Sequence, residues 1–103
     1  MRVDFSFNQN LVEVNGYTMT DIYGTVKREF AAKNIPCVSE GEILSFVGGE
    51  QKNDFSNMWV VIMRLLKSEW FMDFATSCIW REDNDKWEDV LRQEREKRRK
   101  ERI

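Results

Sequence analysis

The chain has 103 residues, of which 42% are apolar, 33% charged and 13% aromatic, with a net charge of −2 and no histidine. That length holds one hydrophobic core, and the composition is that of a globular chain and excludes a disordered one. Without histidine the commonest general base and the commonest metal ligand are both missing.

The first segment alternates. Val3, Phe5 and Phe7 fall on one side and Arg2, Asp4 and Ser6 on the other, which predicts a half-buried strand. Asn8-Gln9-Asn10 reads as a turn, Leu11-Val12-Glu13-Val14 as a return strand and Asn15-Gly16 as a second turn, so an N-terminal β-hairpin is expected. A hairpin alone is marginal in water and must pack on something else.

Thr18 or Thr20 caps the next element, with Asp21 in its first turn. Met19, Ile22, Val26 and Phe30 recur at three- and four-residue steps, one apolar stripe of a helix, and Gly24 weakens that helix. Asn34-Ile35-Pro36 ends it. Ser39-Glu40-Gly41-Glu42 has the form of a capping box, and Gly48-Gly49 stands where a helix C-terminus takes glycine. A short helix is therefore expected there, with a strand over Ile43–Val47 as its rival.

Asn53 or Asp54 opens the most hydrophobic stretch. Met58, Trp59, Ile62, Met63 and Leu66 have helical spacing, and Val60, Val61 and Leu65 make the helix apolar nearly all round. Trp59 is placed in the core, so Trp59→Ala is expected to cost about 3–5 kcal/mol in a denaturant curve. A break near Lys67 to Glu69 precedes a second helical run through Trp70, Phe71, Phe74, Cys78 and Ile79, with a strand over Phe74–Trp80 as the alternative. Asp85-Lys86-Trp87-Glu88 reads as another capping box, starting a last helix anchored by Trp87, Val90 and Leu91. From Arg92 onward nothing in the pattern docks that helix to the core.

Candidate chemistry is sparse. Cys37 and Cys78 form neither a C-x-x-C motif nor a disulfide framework, and Cys78 falls on an apolar face. Asp83, Asp85, Glu88 and Asp89 fail as a calcium loop, because Trp87 stands where a ligand belongs and the required glycine and closing glutamate are missing. Gly48-Gly49 lacks the spacing of a phosphate-binding loop. A helix-turn-helix across Gly48-Gly49 fails too, since Met58–Met63 is built for burial and not for a groove. No catalytic, cofactor-binding or metal-binding residue is assigned, and no cofactor is expected.

The one strong compositional feature is the end of the chain. Residues 86–103 carry eight Lys/Arg against five Asp/Glu, a net of +3, whereas residues 1–85 carry eight against thirteen, a net of −5. Glu94 and Arg98, and Glu96 and Lys100, stand at the four-residue spacing of helical ion pairs.

The reading is an α+β fold, with an N-terminal hairpin on a mainly helical domain and a projecting charged C-terminal helix. Residues 1–91 form one globular domain and 92–103 the exposed basic end. The expected function is that of a small non-catalytic protein-interaction module, its character suiting an accessory or inhibitory protein of a phage or mobile element. The alternative is a nucleic-acid-associated protein that binds phosphates through its basic helix. Contact is assigned to Trp87, Arg92, Arg95, Arg98, Arg99, Lys100 and Arg102. The partner is expected to be another protein before nucleic acid, with a homodimer admissible and a membrane excluded. Met1 to Phe7 does not have the form of a signal peptide, and Met58–Leu66 is too short to span a bilayer and carries Arg64. A cytoplasmic protein with reduced cysteines is the expectation.

Overall fold

The first strand, β1 (Arg2–Phe7), forms where the alternation predicts it. Its partners come from far along the chain. β1 pairs antiparallel with β3 (Leu44–Val47) on one side and with β4 (Ala75–Arg81) on the other. β2 (Cys37–Glu40) and β5 (Trp87–Asp89) complete a five-stranded antiparallel sheet in the order β2-β3-β1-β4-β5. These relationships are those of a computed structural model that describes residues 1–101. The α+β class read from the sequence holds.

The N-terminal hairpin does not form. Leu11–Val14 belongs to α1 (Gln9–Val14), because Asn8 acts as a helix cap and not as a turn: its side-chain oxygen accepts from the Leu11 backbone N–H at 3.1 Å. Gly16, at φ +86°, lies just beyond the end of that helix, the backbone region glycine enters at least cost. α2 (Met19–Ala31) follows the reading closely. Thr18 and Asp21 form a reciprocal capping box, and Ile22, Val26 and Phe30 are buried.

The segment after Pro36 is a β-hairpin, not the short helix, so its rival strand reading is the correct one. Ser39 and Glu40 pair with Ser45 and Leu44. The period is hidden because Leu44, Ser45 and Phe46 are all buried, as happens in a strand inside a sheet. Gly48-Gly49 therefore ends β3, with Gly49 at φ +118°. α3 (Asp54–Lys67) covers the predicted hydrophobic stretch, and the chain breaks at Ser68 before α4 (Glu69–Phe74). The helical run then stops at Phe74, and Ala75–Arg81 is strand: Cys78 lies opposite Phe5 and Trp80 opposite Val3.

The chain from β1 to β4 forms two split β-α-β units. β1 enters the sheet between β3 and β4, and helices link β1 to β2 and β3 to β4. This is the connectivity of the ferredoxin-like arrangement, here extended by β5 and by α5 (Val90–Glu101). The smallest dimension is 22 Å, room for one sheet and one helical layer.

Phe5 is at the centre of the core. Its ring lies 5.9 Å from Phe30, 6.1 Å from Phe46 and 5.8 Å from Phe71, all edge-on. Phe30 and Phe46 stack at 4.0 Å. The opposite face of the sheet carries Arg2 and Asp4 with their cross-strand neighbours Ser45, Ile79 and Arg81. Asp4 is buried there and accepts from Ser45 Oγ at 2.6 Å, Arg2 Nε at 2.7 Å and Arg81 Nε at 2.8 Å.

Candidate functional site

The end of the chain differs from its reading in two ways. The box at Asp85–Glu88 is not formed. Asp85 adopts φ +66° within the turn joining β4 to β5, and Trp87 lies in β5 opposite Arg81. The helix begins later, at Val90, where Asp89 Oδ1 accepts from the Arg92 backbone N–H at 3.2 Å and from that of Cys78 at 3.4 Å. One carboxylate thereby caps α5 and satisfies a donor of β4.

The second difference is that α5 is docked beyond Leu91. Arg95 Nη2 donates to the carbonyls of Met72 and Ala75, at 2.9 and 2.8 Å. Arg98 Nη2 donates to the Leu66 carbonyl at 2.7 Å, while its Nε meets Glu94 at 3.3 Å. Leu66 and Met72 lie in the last turns of α3 and α4, where carbonyls have no intrahelical partner and the helix dipole favours a cation. Two arginines assigned to partner contact thus hold the helix to the body. Replacing both by alanine is expected to cost about 2–3 kcal/mol of unfolding free energy, read from denaturant titration, whereas alanine at Arg99 and Lys100 leaves the midpoint nearly unchanged.

Of the other assigned residues, Trp87, Arg92, Arg99 and Lys100 face solvent. Arg92 meets Glu96 at 3.4 Å with its side chain 79% exposed, and Arg99 and Lys100 are exposed. Arg102 lies outside the described residues. Trp87 is 64% exposed, the most exposed aromatic among the described residues.

Trp87 has aromatic company that periodicity could not place. It shares a pocket of about 400 Å³ with Trp80, Glu82, Asp85, Lys86 and Glu88. On the helical side, Trp80 meets Trp59 at 4.8 Å and Phe55 at 5.9 Å between ring centres. Trp80 is 1% exposed, Trp59 is half-buried and Phe55 is 52% exposed. The tryptophan that fills the core is therefore Trp80, and the placing of Trp59 in the core is corrected to its margin. Val60 and Met63 continue the exposed side of α3. The result is an aromatic corner around the buried Trp80 indole: Phe55 and Trp59 pack on it from α3, and Trp87, which pairs with Arg81 across the sheet, shares a pocket with it.

Among the described residues, no three or more His, Cys, Asp or Glu side chains are placed to hold a metal ion. Burial pushes the Cys78 thiol well above its ordinary pKa, with Asp89 and Asp4 adding to the shift, so it stays protonated and unreactive. No helix among the described residues is long and apolar enough to cross a membrane. Comparison with protein-family models, curated proteins and solved structures finds no match.

Proposed function

We propose that this protein is a small non-catalytic protein-interaction module, an accessory or inhibitory part that binds a larger protein through its aromatic corner. The observation that carries this reading is Trp87, 64% exposed and sharing a pocket with the buried Trp80. Exposed apolar clusters mark contact surfaces, and tryptophan is the residue most enriched among those that dominate binding energy.

The basic end supports phosphate binding less well. Arg95 and Arg98 have carbonyl partners in the fold, and Glu94 and Glu96 stand among the remaining cations. Affinity capture from native cells tests the reading with three proteins: the native chain, Phe55→Ser/Trp87→Ala, and Arg92→Ala/Arg99→Ala/Lys100→Ala. The same protein partner is expected with the native and basic-end variants and is lost with the aromatic variant. Recovery of nucleic acid that disappears steeply with added salt and with the basic-end variant would favour the alternative.

A further inference from the structure

Gly24 stands in the interior of α2, where only proline is a poorer helix former. The fold does not require it. A methyl group at this position would meet only Arg28 Nη1, at 3.8 Å, an ordinary contact. The bare backbone instead floors a groove of about 760 Å³, within the size range of binding clefts.

Two rows of side chains line that groove. Thr20, Gly24 and Arg28 follow one another at single-turn steps along α2, and Trp70 and Phe74 do so along α4. Tyr17, 52% exposed, closes one end with its ring edge-on to Phe74 at 6.0 Å. The two ends differ in charge. Asp21, at the Tyr17 end, is engaged by the Thr18 backbone N–H at 3.0 Å. Arg28, at the other end, donates to Thr25 Oγ1 at 3.2 Å and meets no carboxylate within ion-pair distance among the described residues.

The geometry points to this groove as a docking site for an acidic amphipathic segment of a partner protein. An apolar side chain of that segment seats over Gly24 between Trp70 and Tyr17, and a carboxylate reaches the Arg28 guanidinium. Glycine lets the partner's backbone come close to α2, half-buried Trp70 and exposed Tyr17 supply aromatic walls, and the charge-assisted pair fixes the direction of binding. A second carboxylate at the other end would meet Asp21, so the segment is acidic toward Arg28 only. This groove lies on elements other than β4 and β5, and its use does not depend on the aromatic corner.

The test uses the full chain, labelled for residue-resolved NMR. It is titrated with a short acetylated and amidated amphipathic peptide carrying leucines on one face and glutamate at one end, and with the counterpart carrying lysine. The glutamate peptide is expected to shift the Gly24, Thr25 and Arg28 amides and the Trp70 indole, while the lysine peptide does not. Arg28→Gln lowers the affinity about tenfold. Gly24→Ala separates binding from folding, since it raises the melting temperature by about 4–8 °C and yet weakens the peptide. Binding that is unchanged in the stabilised Gly24→Ala protein would overturn the proposal. So would equal binding of both peptides, no binding of either, or shifts centred on Trp87.

Discussion

Trp80→Ala lowers the free energy of unfolding by about 3–5 kcal/mol, measured by urea titration followed with circular dichroism. Trp80 is 1% exposed and bridges two layers: its strand neighbour is Val3 in β1, and its ring carries Trp59 and Phe55 of α3. Removing the indole leaves a cavity that a strand paired on both sides is poorly placed to collapse. Trp59→Ala, half-exposed at the same contact, costs less, about 1–2 kcal/mol. A larger loss at position 59 than at position 80 would contradict this assignment of core and surface.

Asp4→Ala has the second largest effect, about 2–3 kcal/mol at neutral pH. The carboxylate joins three strands on the face away from the helices, accepting from Ser45 of β3, Arg81 of β4 and Arg2 of its own strand. Burial is the largest single influence on its pKa and pushes it up, but the hydrogen bonds from Ser45, Arg81 and Arg2 together hold it below its ordinary value near 3.8. A carboxyl whose pKa is lower in the folded state stabilises the fold above its unfolded pKa, and that contribution is lost as pH falls through the folded value. The stability gap between the native chain and Asp4→Asn is therefore constant from neutral pH down to the ordinary carboxyl range and closes below it. A gap that widened on acidification would mean burial dominates at Asp4.

These two positions show which parts of the fold could be read in advance. β1 was legible because Val3, Phe5 and Phe7 are buried while Arg2 stays exposed, and the surface alternation survives even though Asp4 is drawn inside. α2 and α3 were legible because each has a stripe longer than two turns, and Thr18, one of the two caps read for α2, is the residue that caps it. Short elements were not. Ile43–Val47 is too brief to define a period, and with Leu44 to Phe46 all buried it has none to show. Asn8 is equally suited to a turn and to a helix cap, and the choice falls to β1, whose neighbours are distant segments and not the residues that follow it.

The last helix illustrates a different limit. Asp85 and Asp89 are both plausible caps by residue type. Pairing of Trp87–Asp89 with Ile79–Arg81 selects the later one. Arg95 and Arg98 read as solvated charge because a guanidinium bonded to the carbonyls at distant helix ends leaves no apolar pattern. The candidate site was half visible. Trp87 was assigned to partner contact, but the pocket it shares with Trp80 needs the sheet, since β4 was read first as helix. Gly24 appeared only as a weakness of α2, and the groove it floors lies between α2 and α4, which only the folded chain brings to one surface.

The most direct test of the central proposal is the affinity of the captured partner for the Trp87→Ala protein, measured by calorimetry beside a thermal melt of the same variant. Trp87 lies at the exposed side of a short edge strand, so the variant is expected to melt close to the native protein. Its affinity is expected to fall by about thirtyfold or more, the loss that marks a dominant interface residue. Native affinity in Trp87→Ala, with loss of binding instead in Arg92→Ala/Arg99→Ala/Lys100→Ala, would move the contact surface to the basic helix and contradict the account.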